Sequence, residues 1–182
     1  MNKQVLFLQG GGDDGYTADQ AMVASLKAAL GKEYSVHYPE LPSDESKPDY
    51  GWIGQIATHI SKADDDVIIV AHSFGASMLL KYLSENKVQK KIAGIFLIST
   101  PFWDGDVDWQ KPFELKANFA AKLPKDIPIT FYHSRDDEEI PVAQFEQYKE
   151  KVIQAAFHEI KAGGHQFNND LARVAKDVKS LR

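Results

Sequence analysis

The sequence predicts an α/β protein, in which helices cover both faces of a mostly parallel sheet and so form a three-layer sandwich. Short apolar segments alternate with segments of helical periodicity along the 182 residues. The apolar segments lack the polar alternation of half-buried strands, as is typical of strands buried on both faces. A three-layer α/β architecture satisfies both observations. A chain of this length is expected to form one domain over residues 1–182.

Six strands are predicted from the apolar segments. They cover residues 5–8, 34–38, 67–71, 92–99, 129–133 and 156–160. The first ends at Gly10-Gly11-Gly12 and the second at Pro39, and both kinds of residue interrupt strands.

Helical spacing fills the segments between these strands. Thr17, with Gln20 three residues later, is interpreted as a capping box that starts a helix running to Leu30, and Gly31 ends it. The other helices are predicted at residues 52–60, 75–86, 141–153 and 168–181, with a short one near 113–122.

Composition restricts the class of protein. Hydrophobic residues make up 43% and charged residues 26%, with a net charge of −5, as in ordinary globular proteins. The chain shows no basic face, so no nucleic-acid partner is expected. The absence of cysteine agrees with a cytoplasmic location and excludes thiol chemistry. The apolar run at residues 5–8 is shorter than the ~7–15 residues of a signal peptide or the ~20 of a membrane span, so no membrane association is expected.

A single serine stands at the junction between the third strand and the next helix. The sequence there is Ala71-His72-Ser73-Phe74-Gly75. A turn this tight tolerates only small residues two positions before and after the serine, and it holds the hydroxyl clear of the fold, as a nucleophile requires. Serine is also a common N-cap, so Ser73 could simply start the helix.

Later segments supply partners for a nucleophilic serine. The fifth strand is followed by "RDDEEIP" and the sixth by "GGH", which ends in His165. Both segments follow the carboxyl ends of strands, where open α/β sheets bind ligands, and the chain order serine, acid, histidine fits a strand–turn–helix nucleophile. No His/Asp/Glu set has metal-ligand spacing, so neither a metal nor a cofactor is expected.

Together, "LQGGG", "AHSFGA", "RDDEEIP" and "GGH" resemble the α/β-hydrolase superfamily. They are most similar to its small, nearly lidless serine hydrolases of the retinoblastoma-binding-protein type. The resemblance covers nearly the whole chain and implies a reduced α/β-hydrolase fold with strand order 2-1-3-4-5-6. It also implies a catalytic triad of Ser73, Asp137 and His165, because the family's Asp-x-x-hydrophobic-Pro pattern makes the residue before "EEIP" the acid.

Two positions depart from the family pattern. Gln9 stands where many relatives carry a histidine before the glycines. The Leu-x-Cys-x-Glu segment by which the mammalian relative is thought to bind a tumour suppressor cannot exist without cysteine. That partner is therefore not implied. A small acyl substrate is expected, and the sequence does not identify a protein partner.

The resemblance implies a carboxylesterase-like serine hydrolase that cleaves a small ester, thioester or amide through an acyl-enzyme on Ser73. The backbone N–H groups of Phe74 and Gly11 are expected to form the oxyanion hole. Two alternatives stay open: a binding protein that keeps the fold with little turnover, and an acyltransferase or perhydrolase that uses the same triad.

Aromatic residues near the strand ends suggest the substrate pocket. Phe102 and Trp103 follow the fourth strand and are predicted as one wall, with Gly15-Tyr16 and Tyr50 to Trp52 on the opposite side. A shallow apolar cleft for a short acyl group is the resulting expectation.

Overall fold

Six parallel strands form one sheet in a computed structural model, which describes residues 2–105 and 107–181. The strand order β2-β1-β3-β4-β5-β6 confirms the prediction. The strands are Lys3–Leu8 (β1), Tyr34–His37 (β2), Val67–His72 (β3), Ile92–Ile98 (β4), Ile129–Ser134 (β5) and Ala156–Ile160 (β6).

Helices cover both faces of the sheet, as predicted. They are Gly15–Leu30 (α1), Trp52–Lys62 (α2), Ser73–Glu85 (α3), Phe119–Lys122 (α4), Val142–Lys151 (α5) and Ala172–Lys179 (α6). Apolar residues of α1 and α6 form one core against the sheet, and those of α2, α3 and α5 form the other. Burying both faces is why the central strands lack polar alternation.

The edge strands differ from the central ones. Every residue of β3 is buried, whereas β2 alternates between half-buried and exposed positions and β6 has no fully buried residue. An edge strand has a hydrogen-bonded neighbour on one side only, so less of its surface is covered.

The predicted start of α1 is wrong. The helix begins at Gly15, two residues before Thr17, and Asp14 at its N-cap makes no side-chain capping bond. Thr17 and Gln20 therefore lie within the helix and form no capping box.

Two other predicted helices are shorter than expected. Helix α6 begins at Ala172 and not at Asn168, because Phe167, Asn168 and Asn169 have left-handed φ values of 52°, 50° and 55°. A right-handed helix cannot include such residues. Of the predicted helix near 113–122, only α4 at Phe119–Lys122 is α-helical, and a 3₁₀ segment at Asp108–Phe113 precedes it.

The parallel arrangement brings the carboxyl ends of the strands to one edge of the sheet. The loop after β1, the start of α3 and the loops after β4, β5 and β6 meet there. Within the described ranges, no helix is long and apolar enough to cross a membrane.

Candidate active site

Ser73 occupies a strained turn at the centre of this edge. Its φ is 49°, a left-handed value that non-glycine residues adopt only when the surrounding structure holds them there. The turn is tight because Gly75 lies against the loop after β1: a Cβ on Gly75 would lie 2.2 Å from the Gln9 carbonyl oxygen. Ser73 is thus the first residue of α3 and still presents its hydroxyl at the sheet edge.

The structure brings Ser73, His165 and Asp137 together. Ser73 Oγ lies 3.0 Å from His165 Nε2. On the other side of the imidazole ring, His165 Nδ1 lies 3.0 Å from Asp137 Oδ1 and 3.1 Å from Oδ2. The carboxylate can accept only from an Nδ1–H group, so it fixes the tautomer in which Nε2 is free to accept the serine proton.

The pKa values of this pair move in opposite directions. Burial acts to raise the pKa of Asp137, but hydrogen bonds from His165 and from the Ile140 N–H outweigh it and lower the pKa to about 2. Burial acts to lower the pKa of His165, but the hydrogen bond and charge of Asp137 outweigh it and raise that pKa. Asp137 therefore stays ionised beside an imidazole that holds its proton more tightly than a free one.

The neighbouring Asp136 has a different position. Its Oδ1 accepts hydrogen bonds from Ser134 Oγ at 2.5 Å and from the N–H groups of Gly163 and Gly164 at 2.9 Å each. These bonds lower its pKa to about 2, led by the bond from Ser134. Asp136 thus anchors the loop that carries His165 and does not contact the imidazole. Arg135, the residue before Asp136, pairs with Glu159.

A buried network lies behind the imidazole. His72 Nδ1 is 2.9 Å from Asp19 Oδ1, and both side chains are 1% exposed. Asp19 Oδ2 also accepts the Gly10 N–H at 2.8 Å. Helix α1 is in this way tied both to the start of the loop after β1 and to the end of β3, immediately before Ser73.

His72 reaches the loop of His165 through its second nitrogen. His72 Nε2 lies 3.1 Å from the backbone carbonyl oxygen of His165, which also accepts the hydroxyl of Ser99 at 3.2 Å. Both ring nitrogens of His72 thus face oxygen atoms, and these contacts position the ring between α1 and the loop that carries His165. We call Asp19, His72, Ser99 and the His165 carbonyl the rear network.

The candidate oxyanion donors lie side by side. A Cβ on Gly11 would lie 2.9 Å from Cβ of Phe74, so only glycine brings this backbone so close to the residue after Ser73. The preceding Gln9 holds the loop: its amide donates to the Gly10 carbonyl at 3.3 Å and its oxygen accepts from the Leu41 N–H at 2.8 Å. A glutamine can therefore fix this loop at the position where many relatives carry histidine.

A cavity of about 500 Å³ opens beside Ser73. Its walls come from the loop after β1, the segment before α2, the start of α3 and the segment after β4. The residues lining it are Gly11, Gly12, Asp13, Ser43, Glu45, Tyr50, Ser73, Phe74, Pro101, Trp103, Trp109, Phe113, Glu139 and Ile140. Trp103 is thus placed as expected, and its indole N–H donates to Ser77 Oγ at 3.0 Å.

Three other residues that were predicted to line the pocket do not line this cavity: Phe102, Tyr16 and Trp52. Phe102 packs edge-on against Tyr148 in the core. Tyr16 stacks on Tyr38 with ring centroids 4.5 Å apart. Trp52 is 1% exposed and packs beneath Phe74. In each case the ring packs against another aromatic side chain, with Trp52 buried and Tyr16 and Phe102 half-buried.

Two acidic residues of the site were missed from the sequence. Asp19 shares a helix face with Met22, Val23 and Leu26, and a carboxylate at such spacing on a buried face was a detectable signal. Glu139 Oε2 lies 3.4 Å from His165 Nε2 although the Glu139 side chain is 64% exposed. No pattern in "DDEEIP" distinguishes Glu139 from Glu138, which instead accepts the His165 N–H.

The residues described in the structure contain no group of three or more His, Cys, Asp or Glu side chains that could hold a metal ion.

Comparison with known proteins defines the class. The family model for serine hydrolases matches residues 23–171, and the chain belongs to this family. "Putative hydrolase YdeN" of Bacillus subtilis (strain 168) is 26% identical over 126 residues, which are 63% of this chain and 60% of that protein. This sequence match spans less than two thirds of the curated relative's length. The chain is thus a member of the serine hydrolase family, with the strand order of the α/β-hydrolase fold.

Solved structures share that fold. The ydeN gene product from B. subtilis superposes with a TM-score of 0.72 at 15% identity, covering 99% of this chain and 98% of that one. A serine hydrolase involved in carbazole degradation, the CarC enzyme, gives a TM-score of 0.72 at 15% identity, over 100% of this chain and 92% of that one. The retinoblastoma-binding-protein subtype expected from the motifs stays a prediction.

Proposed function

We propose that this hydrolase cleaves small esters, thioesters or amides through a covalent acyl-enzyme on Ser73. The observation that carries the proposal is the alignment of three side chains, with Ser73 Oγ 3.0 Å from His165 Nε2 and His165 Nδ1 3.0 Å from Asp137. The base is thus within hydrogen-bonding distance of the nucleophile on one side and of the orienting acid on the other.

In the first half-reaction, Ser73 Oγ forms a bond to the substrate carbonyl carbon while His165 Nε2 takes the hydroxyl proton. The developing oxyanion accepts from the N–H groups of Phe74 and Gly11. His165 then gives its proton to the leaving group as the bond to the acyl carbon breaks. Asp137 stabilises the imidazolium throughout and remains ionised.

In the second half-reaction, water enters and His165 takes one of its protons. The resulting hydroxide attacks the acyl carbon, and Ser73 Oγ leaves with the proton held by His165. The products are a carboxylic acid and a regenerated Ser73 hydroxyl, so the two half-reactions balance without a change of oxidation state.

A fluorophosphonate probe tests the nucleophile. Folded protein at neutral pH is expected to take up one probe group on Ser73, and Ser73→Ala is expected to take up none. Ser84→Ala, which removes a hydroxyl near the far end of the same helix, is the matched control and should label normally. Absence of labelling in the folded wild-type protein would contradict the proposal and favour a binding protein.

Product analysis then separates hydrolysis from acyl transfer. With a small ester in water alone, free acid is the expected product. Formation of a new ester or peracid in preference to the acid, when an alcohol or hydrogen peroxide is added, would favour the acyltransferase or perhydrolase alternative.

A further inference from the structure

The wall of the cavity beside Ser73 is a continuous set of aromatic rings. Phe113 lies 5.0 Å from Phe74, 5.6 Å from Tyr50 and 5.8 Å from Trp103, measured between ring centroids. Trp109 continues the wall, 5.5 Å from Trp103. Aromatic faces carry a negative quadrupole potential, so such a wall attracts a positive charge as well as apolar groups.

The charged side chains that line the same cavity are all acidic. Asp13, Glu45 and Glu139 contribute carboxylates, and none of the described lining residues is a lysine or an arginine. Basic residues of the adjoining segments are paired away from it: Lys47 lies 3.3 Å from Asp44, and Lys111 lies 2.6 Å from Asp108.

Glu139 places one of these carboxylates beside the proposed catalytic histidine. Its carboxylate lies 3.4 Å from His165 Nε2, the atom that faces Ser73 Oγ. It also lines a second, smaller hollow on the other side of Ser73, formed with Asp13 and the glycine loop. A substrate that reaches Ser73 from either hollow therefore passes a fixed negative charge.

We propose that this site selects acyl substrates that carry a positively charged ammonium group and rejects those that carry a carboxylate, with Glu139 as the main determinant of the selection. The inference rests on the proposed function, because it specifies the substrate class of the same nucleophile. The aromatic wall covers the ammonium and its alkyl groups, while the acidic residues supply the charge complement.

Three thioacetates of similar size test the selection. They are acetylthiocholine, its neutral carbon isostere 3,3-dimethylbutyl thioacetate, and S-acetyl-3-mercaptopropanoate, which carries a carboxylate. The expected order of kcat/KM is cationic, then neutral, then anionic, with the cation favoured over the neutral isostere by ~10-fold at low ionic strength. Added salt should compress this ratio, because exposed charges are screened.

Charge-neutralising variants locate the determinant. Glu139→Gln should lower the ratio of cationic to anionic kcat/KM by ~5-fold or more. Glu150→Gln, an exposed carboxylate on α5 that does not line the cavity, is the matched control and should leave that ratio unchanged. Because the readout is a ratio, a general effect of Glu139 on His165 cancels.

The outcomes separate the two proposals. Equal kcat/KM for all three thioacetates, a preference for the neutral isostere, or an unchanged ratio in Glu139→Gln would overturn the charge selection while Ser73 labelling and turnover stand. Failure to turn over any of them, together with absent fluorophosphonate labelling, would overturn the hydrolytic mechanism and the charge selection with it.

Discussion

Behind the imidazole of His165, the side chains of Asp19, His72 and Ser99 are buried and hydrogen-bonded, whereas in front of it Trp109, Tyr50 and Glu139 are exposed to solvent. Asp19 and His72 are each 1% exposed, compared with 61% for Trp109 and 64% for Glu139. The rear network holds three strand-end segments in one geometry, as catalysis by preorganised groups requires. On the exposed side, the rings of Tyr50, Trp103 and Trp109 all pack on Phe113, Trp103 and Trp109 also pack on each other, and Trp103 donates a hydrogen bond to Ser77.

The largest loss of activity is expected from a change at Ser73, which lies next to both the buried network and the exposed cavity. Ser73→Ala should reduce turnover of a small ester by ~10³-fold or more, because members of a triad act as a unit. The substitution keeps Cβ, so the thermal unfolding midpoint should stay close to that of the wild type. Retention of most activity in the folded variant would remove the covalent mechanism.

The two adjacent aspartates give the next largest contrast. Asp137→Asn should lower kcat by at least ~10²-fold, because an amide no longer enforces the productive tautomer of His165. Asp136→Asn should cost less than ~10-fold, because an amide oxygen can still accept from Gly163 and Gly164. The reverse ranking in steady-state kinetics would assign the acid to the other residue.

The pH profile follows from the raised pKa of His165. Only the neutral imidazole can accept the serine proton, so kcat/KM should fall as the pH drops through that pKa. The midpoint should lie above the ordinary value of 6.5, because the charge and hydrogen bond of Asp137 outweigh burial. A profile that stays flat between about pH 5 and about pH 8 would contradict the role of His165 as base.

The shifted pKa values of His165 and Asp137 also make the stability of the fold depend on pH, in opposite directions. The raised pKa of His165 stabilises the fold below about 6.5, and this contribution is lost as the pH rises through the folded-state pKa. The lowered pKa of Asp137 stabilises the fold above its ordinary value of 3.8, and this is lost as the pH falls towards about 2.

A smaller effect, mainly on stability, is expected at Gly75, where α3 packs against the loop after β1. Gly75→Ala should lower the free energy of unfolding by ~1–3 kcal/mol and reduce activity, because its Cβ would meet the Gln9 carbonyl. Gly54→Ala is the matched control: it lies exposed in α2, nothing lies within 4 Å of its added Cβ, and it should stabilise by ~0.5–1 kcal/mol. Chemical denaturation measures both, and equal effects would show that the turn at Ser73 is not tightly packed.

The sequence predicted the sheet from local signals, whereas the proposed triad was implied by the resemblance to the α/β-hydrolase superfamily. Apolar segments place the strands, and parallel strands place their carboxyl ends together. The start of α6 was mispredicted because three residues before it have left-handed φ values and none of them is a glycine. They are Phe167, Asn168 and Asn169. Asparagine adopts left-handed values more readily than most residues, but a run that also includes a phenylalanine needs tertiary contacts to maintain it.

The residues that line the cavity were harder to predict than the strands and the residues at their ends. Phe102 and Trp103 are adjacent aromatic residues, yet one packs against Tyr148 and the other lines the cavity. Composition does not decide between these environments, since both bury a large apolar surface. The contact of Glu139 with His165 depends in the same way on how the loop after β5 turns back over the histidine.

The most direct test of the central claim is intact-protein mass spectrometry after rapid acid quench of the protein mixed with p-nitrophenyl butyrate. The account predicts a transient species heavier by one butyryl group, located on Ser73 by peptide mapping, that disappears once the ester is consumed. Steady release of p-nitrophenol with no adduct at any quench time, and the same rate in Ser73→Ala, would contradict it.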